Sequence, residues 1–147
     1  MKKLCLLFIT SVFCGSVFAQ TTPILQKEWK GEVSVTSIGS ANKLANPNQS
    51  VKDWNSFDEA RTLIVLRQEG RHLDLALKHP RGEVQWIATI SKDGKQIMAT
   101  DQGGLSLILN LSGNSLSGCG AVRGTKGTFE DWFNNYAALC YDFKAVK

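Results

Sequence analysis

The feature that most constrains this chain is a two-residue alternation of apolar and polar side chains through six successive segments between residues 61 and 123. Successive side chains on a β-strand point to opposite faces, so this pattern predicts strands with one dry face and one wet face. The punctuation between the segments is turn chemistry: Glu69-Gly70, His79-Pro80-Arg81-Gly82, Asp93-Gly94, Gln102-Gly103-Gly104 and Gly113-Asn114. Asp-Gly is a strong hairpin dipeptide because both residues accept a positive φ. Extended in both directions, the pattern predicts eight strands, at 28–38, 61–68, 71–78, 83–90, 95–101, 104–111, 115–123 and 136–146.

Partners across an antiparallel hairpin share a sheet face, so each turn fixes a register. These turns set Leu66 against Leu73, Ile64 against Leu75, Leu75 against Trp86, Ala88 against Ala99, Ala99 against Leu107, and Leu109 against Gly118. The dry face then holds Ile64, Leu66, Leu73, Leu75, Trp86, Ile90, Ile97, Leu107, Leu109 and Leu116. Its polar members are expected to be Thr62, with Gln68, Arg71 and Asp101 near strand ends. The wet face carries Leu63, Val65, Ile87, Met98 and Ile108 scattered among polar neighbours, as soluble surfaces commonly do. Cys119 falls on the wet face opposite Ile108. Cys140 has the outward parity of the last strand, whose Leu139, Tyr141 and Phe143 point inward. A Cys119–Cys140 disulfide on the outer surface follows.

Eight sequential antiparallel strands can bury one apolar face by closing as an up-and-down barrel or by folding as a two-sheet sandwich. Closure also removes the edges of the first and last strands. Residues 39–60 are polar around Asn46-Pro47-Asn48 and are expected as a loop, with a turn of helix near 54–60. Residues 124–135 are expected to hold a short helix capped by Thr128, with Glu130 and Asp131 in its first turn. The strand number, the meander order, the long first connection and the helix before the last strand resemble calycin-type barrels, the lipocalins and avidins. The resemblance is one of topology across most of the chain. The Gly-x-Trp signature of a lipocalin first strand is replaced by Trp29-Lys30-Gly31, and no binding residue carries over.

The N-terminus reads as a secretory leader. Met1-Lys2-Lys3 precedes an apolar run from Leu4 to Val17 and a small-residue end at Ala19. The run is shorter than the roughly 20 residues a spanning helix needs. Cleavage after Ala19 is expected. The alternative, lipoprotein processing before Cys14, would put bulky Phe13 where a small residue is wanted. The domain plan is a leader at 1–19, a flexible arm at 20–27 and a barrel at 28–147. Lys2 and Lys3 leave with the leader, so the formal charge falls from +4 to +2. With no dense basic cluster, nucleic acid is not an expected partner. No second apolar run reaches spanning length, so no transmembrane helix is expected in the mature chain. A periplasmic or secreted location suits the remaining cysteine pair.

Chemistry-bearing motifs are sparse. His72 and His79 sit at hairpin positions without an evident carboxylate to orient them. No Gly-x-Ser-x-Gly elbow is present. Gly118 and Gly120 lie within a strand, where glycine makes room for facing leucines, and no helix follows closely to complete a phosphate cradle. The adjacent carboxylates Asp58-Glu59 and Glu130-Asp131 lack the ligand spacing of a calcium loop. No cofactor, metal or catalytic residue is therefore expected. Trp54, Phe57 and Trp132 belong to the long connections and Trp86 to the interior. Large aromatics in the connections are expected to plug the barrel ends as core, or alternatively to grip a ligand at a cavity mouth together with Trp86. The expected function is a non-enzymatic exported protein that binds a small hydrophobic molecule. The alternative is a barrel that binds an envelope or secreted protein through its loops, in the manner of small exported inhibitors of lysozymes or proteases.

Overall fold

A computed structural model describes residues 22–38, 54–123 and 136–147. The expected leader ending at Ala19, the capped helix at Thr128 and the side chain of Trp132 lie outside the described residues. The strands are β1 (Glu28–Ile38), β2 (Trp54–Glu69), β3 (His72–His79), β4 (Gly82–Ile90), β5 (Gln96–Thr100), β6 (Ser106–Ser112), β7 (Ser115–Arg123) and β8 (Tyr136–Ala145). Each pairs antiparallel with the next, and β8 returns to β1, closing an all-β barrel rather than a sandwich.

Register across β3–β8 follows the alternation. Leu75 faces Trp86, Ala88 faces Ala99, Ala99 faces Leu107, and Leu109 faces Gly118. Gly118 is required by close approach: a Cβ there would lie 2.0 Å from the Ile108 carbonyl oxygen. Cys119 and Cys140 are directly opposed across β7 and β8 and form a disulfide.

β2 departs from the expectation in two ways. It begins at Trp54, so residues 54–60 are strand rather than loop or helical turn. The register with β3 also slips between Val65 and Arg67, leaving Leu66 as a bulge. One inserted residue reverses the side on which every earlier residue points. Leu63 and Val65 are therefore the buried pair, while Leu66 is exposed and Ile64 only half-buried. The same slip turns Arg61 inward where Thr62 was expected, and Arg61 is 7% exposed. Gln68, beyond the bulge, keeps its expected inward side and faces Leu73.

The interior packs around a column of rings. Trp86 meets Tyr141 edge-on at 5.4 Å, and Tyr141 stacks on Phe143 at 5.5 Å. Val33, Ile90, Leu109, Leu116 and Phe143 expose no surface, and Trp29, Leu75, Trp86 and Leu107 only 1%. Side chains lining a water-sized void would retain accessible area, so the belt around Trp86 is solid.

The two ends of the barrel differ. At the arm end, the Leu25 N–H donates to Gln68 Oε1 at 3.0 Å and Gln68 Nε2 donates to the Pro23 carbonyl at 2.8 Å. Trp29 Nε1 donates to the Gln26 carbonyl at 2.9 Å. Thus residues 23–26, expected as a free arm, are tied across the barrel. Pro23 also closes on the turn at Gly94, whose φ of 70° suits glycine. The opposite, loop end is where β1 stops, β2 starts and β8 starts, so connections 39–53 and 124–135 leave from it.

The disulfide links positions 21 residues apart. Replacing both cysteines by alanine is expected to cost about 3 kcal/mol through the unfolded state. Urea unfolding of the double variant against the oxidised wild type checks this, and an unchanged midpoint would contradict it.

Candidate functional site

The bulge at Leu66 decides what the loop end contains. Because it flips the first half of β2, Phe57, Glu59 and Arg61 share the inward parity of Leu63 and Val65. They face Val35, Val33 and Gly31 on β1. Charged side chains so placed must neutralise one another, because a buried unpaired charge is very costly. Arg61 Nη2 contacts Glu59 Oε2 directly, and Arg61 Nη1 donates to the Ala60 carbonyl at 3.2 Å. Arg81, in the turn between β3 and β4, donates through Nη2 to the same Glu59 oxygen at 3.0 Å. Two guanidinium groups therefore share one carboxylate.

His79 closes this cluster from the end of β3. Its Nδ1 accepts the Arg81 backbone N–H at 3.2 Å, which puts the proton of the neutral ring on Nε2. Burial, followed by the nearby Arg61 and Arg81 charges, holds the imidazole below the usual histidine pKa, with Glu59 opposing. Ser37 lies further toward the loop end, fully buried, and its hydroxyl has no hydrogen-bond partner among the described residues.

Of the residues singled out from the sequence, Trp132 lies outside the described residues and the others are placed as follows. Trp86 is sealed in the central belt at 1% exposure. Phe57 faces inward, is half-buried and packs against the core; its partner Val35 faces Leu139, two residues from the Tyr141 that meets Trp86. Trp54 has the opposite parity, points away from the barrel axis and is 70% exposed. His72 and His79 sit at opposite ends of β3, with His72 exposed, so they form no proton-transfer pair. Among the described residues no group of three or more His, Cys, Asp or Glu is placed to hold a metal. Glu59 and Arg61 were missed because the parity of β2 was carried unbroken through Leu66. The signal available was the apolar run Leu63-Ile64-Val65-Leu66, which satisfies either parity.

A groove of about 300 Å³ lies beside the cluster, lined by Lys30, Thr62, Lys78, His79 and Pro80 among others. Lys30 pairs with Glu28 at 3.2 Å and Lys78 approaches Glu83 at 4.0 Å, so its cations have carboxylates nearby. No protein-family model, curated protein or solved structure matches the chain.

Two outcomes follow from the cluster. Glu59→Ala strands the Arg61 charge and is expected to cost about 3 kcal/mol, whereas Arg81→Ala, at the margin, is expected to cost under about 1 kcal/mol. Urea midpoints of the two variants compare these directly; equal losses would mean that Arg61 does not depend on Glu59. For His79 the folded state favours the neutral ring, so its contribution to stability is complete above the unfolded-state pKa of about 6.5 and fades as pH falls below it. His79→Gln is expected to flatten the stability profile between about pH 7.5 and pH 5. An unaltered slope in that window would show that His79 does not drive it.

Proposed function

We propose that this protein is an exported, periplasmic or secreted binding barrel that engages a protein partner through its loop end. The observation that carries this reading is the packed belt around Trp86, Tyr141 and Phe143, whose described side chains fill the interior at their own level. A barrel of eight strands is just wide enough to be filled by its own side chains. With the interior occupied, recognition falls to the ends and the outer wall. At the loop end Trp54 stands 70% exposed, and exposed tryptophans are over-represented among residues that dominate protein interfaces. The surface disulfide is compatible with an oxidising compartment.

A second reading, a small hydrophobic molecule held in the mouth, is favoured by Phe57 and Ser37. Both face inward near the loop end, and the buried Ser37 hydroxyl has no hydrogen-bond partner among the described residues. Such a ligand would be bounded below by the aromatic column and would not reach Trp86.

Affinity capture from envelope extract with the mature chain tests the first reading. Wild type is expected to retain a specific protein, and Trp54→Ala to weaken that retention at least about tenfold, as loss of a central interface tryptophan does. Retention undiminished in the variant, or no specific retention by wild type, would sink it. Fatty-acid titration followed by tryptophan fluorescence separates the second reading: a saturable shift with no captured protein would favour the ligand.

A further inference from the structure

The outer wall of the barrel is divided by charge. Outward positions on β1, β2, β3 and β8 include Lys30, Glu32, Asp58, Arg67, Asp142 and Lys144. On β4–β7, from Gln85 to Ala121, the outward side chains are Gln, Ile, Thr, Met, Ser, Asn, Cys and Ala, with no charge among them. The charges reappear at the margins, at Glu83, Asp101 and Arg123 on the loop end and at Lys92, Asp93 and Lys95 on the arm end. Net charge keeps folded chains apart, and charged side chains ordinarily cover a solvent-facing sheet. Four neighbouring strands without them are unlike the rest of this surface.

The middle of that wall is apolar. Ile87, Met98 and Ile108 are 60%, 57% and 45% exposed. Met98 lies directly opposite Ile108, and Ile108 directly opposite Cys119, so the row runs into the surface disulfide. Ile87 is diagonal to Met98, since Met98 faces Thr89. Apolar centre, uncharged polar surround and charged margin is the layout of an interface between protein chains, whose centre is depleted of charge.

We infer that this wall is where a second copy of the chain docks, wall to wall about a two-fold axis. In such an interface each patch meets itself, so any charge near the axis would face its own kind. A face without charge is therefore the one on which two copies can meet without repulsion, whereas a heterologous partner places no such demand. A groove of about 410 Å³, lined by Ile87, Thr89, Met98 and Thr100 among others, lies on this wall, and Met98 faces Ile108 across the strands. Asp74 borders the groove, but Arg67 Nε donates to its carboxylate at 2.8 Å, so this charge is paired within its own chain. Four strands at about 4.8 Å spacing give a patch about 20 Å wide, at the small end of specific interfaces, so the dimer should be reversible. This inference is independent of the loop-end reading.

Sedimentation velocity on the disulfide-intact mature chain, from about 5 to about 200 μM, tests it through the concentration dependence of dimer formation. The expected result is a rise from one chain mass toward two. Met98→Lys and Ile108→Asp are each expected to weaken the dimer at least about tenfold, since each puts like charges across the axis. Far-UV circular dichroism confirms that both variants are folded. Glu32→Lys, on the charged wall, should leave the dimer unchanged. One chain mass at every concentration overturns the proposal, as does a dimer that both wall variants leave intact or that Glu32→Lys disrupts equally.

Discussion

The pairing of β1 with β8 is the constraint on which the rest of the structure depends. β1 and β8 each pair with one neighbour across a long connection and with each other from opposite ends of the domain. Without that second seam the meander would be an open sheet with its apolar side wet on one face and two bare edges. With it, Val33 and Val35 meet Tyr141 and Leu139, and the aromatic column gains its fourth wall. The disulfide acts next door, holding β8 to β7, so the last strand is secured on both sides.

Much of this was legible in the sequence because the period-two rule is unforgiving where one face is buried. From Leu73 to Leu116 the turn dipeptides set registers that the fold reproduces, and parity alone put both cysteines outside on neighbouring strands. The failure is as local as the success. Leu63-Ile64-Val65-Leu66 is apolar at every step, so the alternation carries no information across it, and the bulge falls there. Upstream, the inward places hold Phe57, Glu59 and Arg61, and two inward charges make a strand look like a polar loop. The loop-end cluster was thus hidden by the bulge that creates it.

That cluster resolves a cost that the topology imposes. β2 is the longest strand, and its first half continues past the packed belt toward the loop end. Filling those inward positions with leucine would leave greasy surface at an opening, whereas a carboxylate shared by two guanidinium groups tolerates both protein and water. Charge is placed where the barrel stops being dry, and withheld from the strip of outer wall on β4–β7.

The hydrogen-bonded segment at residues 23–26 and the final residues of β8 lie together at the same end. A tether, tag or neighbouring module joined next to Thr22 or to the end of β8 therefore starts from the end of the barrel opposite Trp54. Held from there, the barrel would present Trp54 to the surrounding solution.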